Sequence, residues 1–279
     1  MSANSWRTRY VTALANGGKG RIRPVMTQAI ILTTQRTGST FLVTCLESHP
    51  EICCLGEILA GSRLFHVPEF LFKFRYGTKA YRFLRSGAWY PTRMMRRYLD
   101  EGRLGSMDLG LRPVMAFKAM YNQIQPPWTM KFLVERKNLR ILHLRRNNLL
   151  KNYVSNQLLT VKRDNAWKPH TTTAVAAVSM PISVAGALEY MRRSVAEYEA
   201  HERAFKDHPR LSLSYETMID GPGLRADVAR DVCRFLGISE QPMQSKLVKM
   251  NPERLQDMIE NYDELASAIA KTEFAAMLD

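Results

Sequence analysis

Between residues 29 and 42 the chain reads Ala29-Ile30-Ile31-Leu32-Thr33-Thr34-Gln35-Arg36-Thr37-Gly38-Ser39-Thr40-Phe41-Leu42. Arg36 supplies a fixed positive charge. The hydroxyls of Thr37, Ser39 and Thr40 can donate to anionic oxygens or cap a helix, and Gly38 permits a tight turn. Together these groups suit the grip of a phosphate or sulfate. The flanking residues must supply the geometry. The apolar run 29–32 reads as a buried strand, and Phe41, Leu42, Val43 and Leu46 resume at helical spacing. A strand, a tight loop and a helix start aim backbone N–H groups and a helix dipole at an anion. An ordinary strand-to-helix turn with Ser/Thr caps reads the same way. A Walker A loop does not, because Gly38 stands alone and no Lys follows it.

The whole chain agrees with an anionic partner. Its 279 residues carry 40 Lys+Arg against 26 Asp+Glu, a net charge of +14. Nucleic acid, a membrane surface or a polyanionic small molecule would each answer that charge. The length suits one substantial α/β domain, and a hydrophobic content of 46% supports a packed core. No apolar run of 18 or more residues predicts a transmembrane helix. Trp6, Arg7, Arg9 and Lys19 interrupt the start of the chain, so no signal peptide is expected there. Cys45, Cys53, Cys54 and Cys233 lack C-x-x-C spacing, which suggests neither zinc nor a disulfide framework. The expected location is the cytoplasm, with the basic surface free to meet the inner face of the membrane.

Residues 1–27 read as a basic, weakly structured arm, with Gly17-Gly18-Lys19-Gly20 as a joint. Residues 28–279 read as a single domain with an insertion at about 63–105. In that insertion, between residues 63 and 103, ten Lys/Arg face three acids, and aromatics from Phe65 to Tyr98 interleave with them. Such interleaving suits stacking on a sugar or nucleotide, and equally suits an amphipathic helical segment with a wet basic face. Strands are expected at 114–118, 139–144 and 211–215, and helices at about 149–162, 182–206 and 224–236, with Gly237 ending the last. Residues 163–180 read as a loop and 250–279 as C-terminal helices. His143 alternates with apolar neighbours and reads as a core histidine. The expected fold class is α/β, a central, mostly parallel sheet flanked by helices, with a P-loop-like strand–loop–helix. Ligands of such sheets bind at the carboxyl ends of the strands. Arg36, Lys118, Arg145, Arg146 and Tyr215 all fall at or just past strand ends.

Residues 35–40 (Gln-Arg-Thr-Gly-Ser-Thr) resemble the phosphosulfate loop of sulfotransferases that use 3′-phosphoadenosine 5′-phosphosulfate (PAPS). Residues 144–155 (Leu-Arg-Arg-Asn-Asn-Leu-Leu-Lys-Asn-Tyr-Val-Ser) resemble that family's 3′-phosphate segment. Ser214-Tyr215-Glu216, then Gly221-Pro222-Gly223-Leu224 and Phe235-Leu236-Gly237, are similar to its C-terminal signature. Bacterial carbohydrate sulfotransferases of the nodulation-factor and trehalose type share the pattern from His49-Pro50 to Gly56-Glu57. They also share an ending like Asn251-Pro252 to Asn261-Tyr262-Asp263-Glu264-Leu265.

The resemblance covers about residues 28–60 and 112–279. It implies that Arg36, Thr37, Gly38, Ser39, Thr40 and Phe41 hold the 5′-phosphosulfate, and that Ser155 with Arg145 or Arg146 holds the 3′-phosphate. The Arg-to-Ser spacing is a residue or two longer than in the best-known members, which leaves the two arginines in competition. Tyr215 and Lys249 would lie at the nucleotide and Lys118 near the sulfuryl group. Glu57 would be the general base that a poorly nucleophilic sugar hydroxyl needs. No metal is implied. The co-substrate would be PAPS and its product adenosine 3′,5′-bisphosphate; the partner would be a hydroxyl-bearing acceptor, a carbohydrate, glycolipid or small metabolite. No nucleic acid is expected, and a dimer is compatible. Two rival readings remain, a P-loop kinase and a basic protein that binds nucleic acid or a membrane surface.

Overall fold

The computed structural model describes residues 26–59, 89–105, 107–163, 179–247 and 254–278. Residues 1–25 of the N-terminal arm, most of the basic–aromatic segment, the 164–178 stretch and Lys249 lie outside the described residues.

Five parallel strands form the central sheet: β1 (Thr27–Thr33), β2 (Ile52–Leu55), β3 (Val114–Met120), β4 (Arg140–Arg145) and β5 (Arg210–Ser214). Their spatial order is β2-β3-β1-β4-β5. Strand β1 is central, with β3 and β4 on either side. The chain therefore changes direction across the sheet at β1, and an open α/β sheet offers its ligand crevice at such a switch, beyond the strands' carboxyl ends. The loop at residues 34–38 leaves β1 at that point.

The helices are α1 (Ser39–Glu47), α2 (Trp89–Glu101), α3 (Tyr121–Ile124), α4 (Pro127–Val134), α5 (Leu149–Arg163), α6 (Val184–Ala204), α7 (Tyr215–Met218), α8 (Ala226–Leu236) and α9 (Tyr262–Ile269). Two short two-stranded ribbons, at residues 103–108 and 219–224, complete the set with two 3₁₀ turns. Gly237 closes α8 in the left-handed conformation, at φ 71°.

Alternation in the strands sorts their side chains onto two faces. Ala29 and Ile31 of β1, Ala116 of β3 and Leu142 and Leu144 of β4 pack against α1 and α8. Ile30, Leu32, Met115, Phe117 and Ile141 point the other way, against Tyr98 and Leu99 of α2, Leu133 of α4 and Phe205. Both faces are covered, which is why residues 29–32 form an unbroken apolar run rather than an alternating one. Helix α2 belongs to this core: the Tyr98 hydroxyl donates to the Ala116 carbonyl at 2.6 Å and lies 2.8 Å from that of Cys53. A third cluster joins α5, α6 and α9 through Val154, Leu158, Met191, Leu265 and Ile269.

Two local features depart from the sequence reading. Residues 52–55 form an edge strand, and Tyr215 opens helix α7 instead of ending β5.

Candidate functional site

The turn after β1 is held from below. The Thr33 hydroxyl donates to the Leu144 carbonyl at 2.9 Å and lies 2.6 Å from the Thr37 hydroxyl, which is also 3.0 Å from the Thr34 carbonyl. Thr37 is buried, so its hydroxyl braces the loop from inside; the expected donation to an anion falls to other groups. Gly38, at φ 77°, is the N-cap of α1, and no side chain caps the helix. The first intrahelical bond runs from Leu42 N to Gly38 O at 3.1 Å. The amides of Ser39, Thr40 and Phe41 precede that bond and have no intrahelical acceptor. They and the helix dipole form an anion-attracting end.

Arg36 sits on this turn in the left-handed region at φ 59°, among the described residues the only non-glycine with positive φ. That conformation is costly for a side chain with a Cβ and marks a position held by its surroundings. Its Nε donates to the Ser155 hydroxyl of α5 at 2.9 Å. One helical turn earlier, Asn152 Nδ2 donates to the Gln35 carbonyl at 3.1 Å, and Tyr190 of α6 hydrogen-bonds Asn152 Oδ1. Helix α5 thus clasps the loop through two buried polar residues.

The two arginines after β4 part company. Arg146 Nη1 lies 3.5 Å from the Arg36 carbonyl, and its guanidinium lies over the Tyr215 ring at 4.8 Å. Its Nε is buried with no partner among the described residues. Arg145 turns away, over the Tyr198 ring at 5.1 Å. Burial lowers the pKa of both Arg36 and Arg146, and the nearby charge of Arg146 lowers that of Arg36 further. Two half-buried guanidiniums that repel one another gain when an anion settles between them.

Glu216 fixes the chain that carries Arg146. Its carboxylate accepts from the amides of Asn147 and Asn148 at 3.0 and 3.1 Å and from the Ser214 hydroxyl at 2.7 Å. Burial pushes its pKa up, but these hydrogen bonds outweigh it and hold the carboxyl below the usual range.

On the other side of the loop, Glu57 follows β2. Its Oε1 is 2.9 Å from Lys118 Nζ, and its Oε2 accepts from Gln123 Nε2 at 2.8 Å. Lys118, only 4% exposed, projects from β3 and also donates to the Thr40 hydroxyl at 3.3 Å. A carboxylate, an ammonium and the start of α1 are thereby linked in a short chain of contacts. Thr40 is half-buried at this junction, while Ser39 is buried within the first turn of the helix.

The structure thus gathers Arg36, Gly38, Ser39, Thr40, Phe41, Arg146, Ser155 and Tyr215 around one turn, with Glu57 and Lys118 beside it. Arg145 lies over Tyr198 instead, and the Thr37 hydroxyl is engaged by Thr33 and the Thr34 carbonyl. Gln123, Asn152 and Glu216 were not singled out as site residues by sequence reasoning. Of the three, Asn152 and Glu216 stood inside recognised motifs, and Gln123 stood outside them. Among the described residues no group of three or more His, Cys, Asp or Glu is placed to hold a metal ion. No helix among them is long and apolar enough to cross a membrane.

No curated protein matches the chain. A crystal structure of a sulfotransferase from Alicyclobacillus acidocaldarius aligns over 91% of this chain and 96% of that one, at 17% identity and a TM-score of 0.43. The model of the sulfotransferase family matches residues 28–242, which include the turn, Glu57, Lys118, Arg146, Ser155 and Tyr215. The chain belongs to the sulfotransferase family.

Proposed function

We propose that the protein transfers a sulfuryl group from PAPS to a hydroxyl of a glycan, glycolipid or small metabolite. The observation that carries this reading is the meeting of two anion-binding segments. Arg36 of the turn contacts Ser155 of α5 at 2.9 Å, and Arg146 abuts the same turn. A donor with phosphate at both ends of its ribose needs two such grips in one cleft.

In this reading the amides of Ser39, Thr40 and Phe41, with Arg36, hold the 5′-phosphosulfate. Arg146 and Ser155 hold the 3′-phosphate, with Tyr215 beside the nucleotide. Lys118 reaches the α1 end through Thr40 and meets the sulfuryl oxygens. Glu57 takes the proton of the acceptor hydroxyl as its oxygen bonds to sulfur. The bond from sulfur to the bridging oxygen breaks in line, and its electron pair leaves on the 5′-phosphate of adenosine 3′,5′-bisphosphate. Positive charge on Arg36 and Lys118 stabilises the charge that develops on the bridging and equatorial oxygens, as in phosphoryl transfer. No step requires a metal.

The test has two arms. Adenosine 3′,5′-bisphosphate should raise the melting temperature where ATP with magnesium does not, since a ligand stabilises only the fold it binds. With ³⁵S-labelled PAPS and a panel of acceptor glycans, glycolipids and small hydroxyl compounds, Glu57→Gln should lose about 100- to 10,000-fold in turnover. Stabilisation by ATP–magnesium alone would favour the kinase reading and overturn this one.

A further inference from the structure

Glu57 lies just past β2, with neither helix nor strand to fix its side chain. The last torsion of a glutamate is broad and two-fold, so an unsupported carboxylate rotates freely. Here both oxygens are held: Oε1 by Lys118 at 2.9 Å and Oε2 by Gln123 at 2.8 Å. Gln123 is itself anchored at its other end, where its Oε1 accepts from the Met120 amide at 3.3 Å. That bond closes the turn from β3 into α3, so Gln123 rides on the strand that carries Lys118. Both supports of Glu57 therefore come from one rigid element.

We propose that Gln123 is a positioning residue for sulfuryl transfer, its side-chain amide setting the orientation of the Glu57 carboxylate that accepts the acceptor's proton. The proposal rests on the assignment of Glu57 as base. Proton transfer demands hydrogen-bond reach and alignment, and a misplacement on the order of 1 Å costs about 100-fold in rate. Lys118 cannot do this alone. It is shared with Thr40, and in the proposed reaction it is drawn toward the sulfuryl oxygens, which leaves Gln123 as the constant partner.

Two variants separate positioning from mere support of the turn. Gln123→Glu keeps an acceptor for the Met120 amide and loses the donor to Glu57. Gln123→Met loses both at similar length. Each should lower kcat by about 10- to 100-fold. KM for PAPS and the affinity for adenosine 3′,5′-bisphosphate should stay within about twofold of wild type, because neither involves Glu57. The double variant Glu57→Gln/Gln123→Met should lose no more turnover than Glu57→Gln alone, as expected when one residue acts through the other. Wild-type kcat in Gln123→Met, beside an inactive Glu57→Gln, overturns the role of Gln123 and leaves the base assignment standing. Full activity in Gln123→Glu with a low melting temperature in Gln123→Met reduces Gln123 to a structural residue. Wild-type turnover in Glu57→Gln overturns the base assignment and this proposal with it.

Discussion

Tyr215 lies so close over Gly38 that a Cβ on Gly38 would fall 2.4 Å from the Tyr215 Cδ2 and 2.8 Å from its Cε2. The guanidinium of Arg146 rests on the same ring. Turn, ring and guanidinium are therefore stacked in sequence, and the thickness of the first contact sets the place of the last. Gly38 is required twice, by its φ of 77° and by the ring above it.

Gly38→Ala should destabilise the protein by about 1–3 kcal/mol. By displacing Tyr215 and Arg146 it should also weaken binding of adenosine 3′,5′-bisphosphate. Adding Tyr215→Ala makes room for the methyl group and should restore part of the melting temperature, though not the backbone strain. Calorimetric titration beside thermal melts checks both parts. If Gly38→Ala bound the nucleotide as tightly as wild type, Tyr215 would not be what sets Arg146.

The two neighbouring arginines are predicted to behave differently. Arg146→Ala should reduce affinity for adenosine 3′,5′-bisphosphate by about 10- to 100-fold, the scale of a hydrogen bond to a charged group. Arg145→Ala removes a contact with Tyr198, away from the turn, and should stay within about threefold. Measured dissociation constants for the two variants decide the matter, and equal losses would mean that Arg145 swings into the cleft when the nucleotide arrives.

That distinction shows where sequence reasoning stopped. The turn was legible because its parts are local: an apolar run, one glycine and a helical restart lie within fourteen residues. The arginine pair was not, because alternation along β4 ends at Arg145 and cannot say where the next side chain points. Residues 52–55 escaped notice as a strand because four residues pairing with β3 alone leave no pattern of their own. The Thr37 hydroxyl looked free to meet a ligand until the fold set Thr33 and Leu144 beneath it. Gln123 carries no sequence signal at all, and Asn152 sat unmarked inside the 144–155 segment. A side-chain amide on a helix looks like any polar residue until the fold brings Glu57 or the Gln35 carbonyl against it.

Glu216 makes a prediction about acid. Its hydrogen bonds hold its folded pKa below the ordinary value of 4.5. A depressed carboxylate contributes stability above its unfolded pKa and loses it as pH falls through the folded one. Glu216→Gln should therefore melt below wild type near neutral pH, and the gap should close as pH drops below about 4.5. Glu216 is partly open to solvent, so the gap will be modest. A gap that did not change with pH would mean that the amides of Asn147 and Asn148 donate equally well to a neutral partner.

His143 behaves in the same sense on the opposite face of the sheet. It is fully buried in β4, stacks on Tyr198 with centroids 4.4 Å apart, and its Nε2 lies 2.6 Å from the Tyr121 hydroxyl. Burial pushes its pKa down to about 3, and the charges of Arg210, His201 and Arg145 add to the shift. The unfolded chain, with an ordinary value of 6.5, binds a proton that the folded chain refuses. Stability is then full above about pH 6.5 and declines toward about pH 3, by at most about 1.4 kcal/mol per pH unit for this one group. His201 and His208 are shifted downward by burial as well, so acid loosens this face at several points. His143→Phe keeps a ring against Tyr198 but strands the Tyr121 hydroxyl, at about 1–3 kcal/mol near neutral pH. Because the variant has no proton to gain there, its deficit should shrink as urea denaturation is repeated from about pH 8 down to about pH 4. A deficit that stays constant over that range would show that folded His143 takes up a proton as readily as the unfolded chain, and that burial does not depress its pKa.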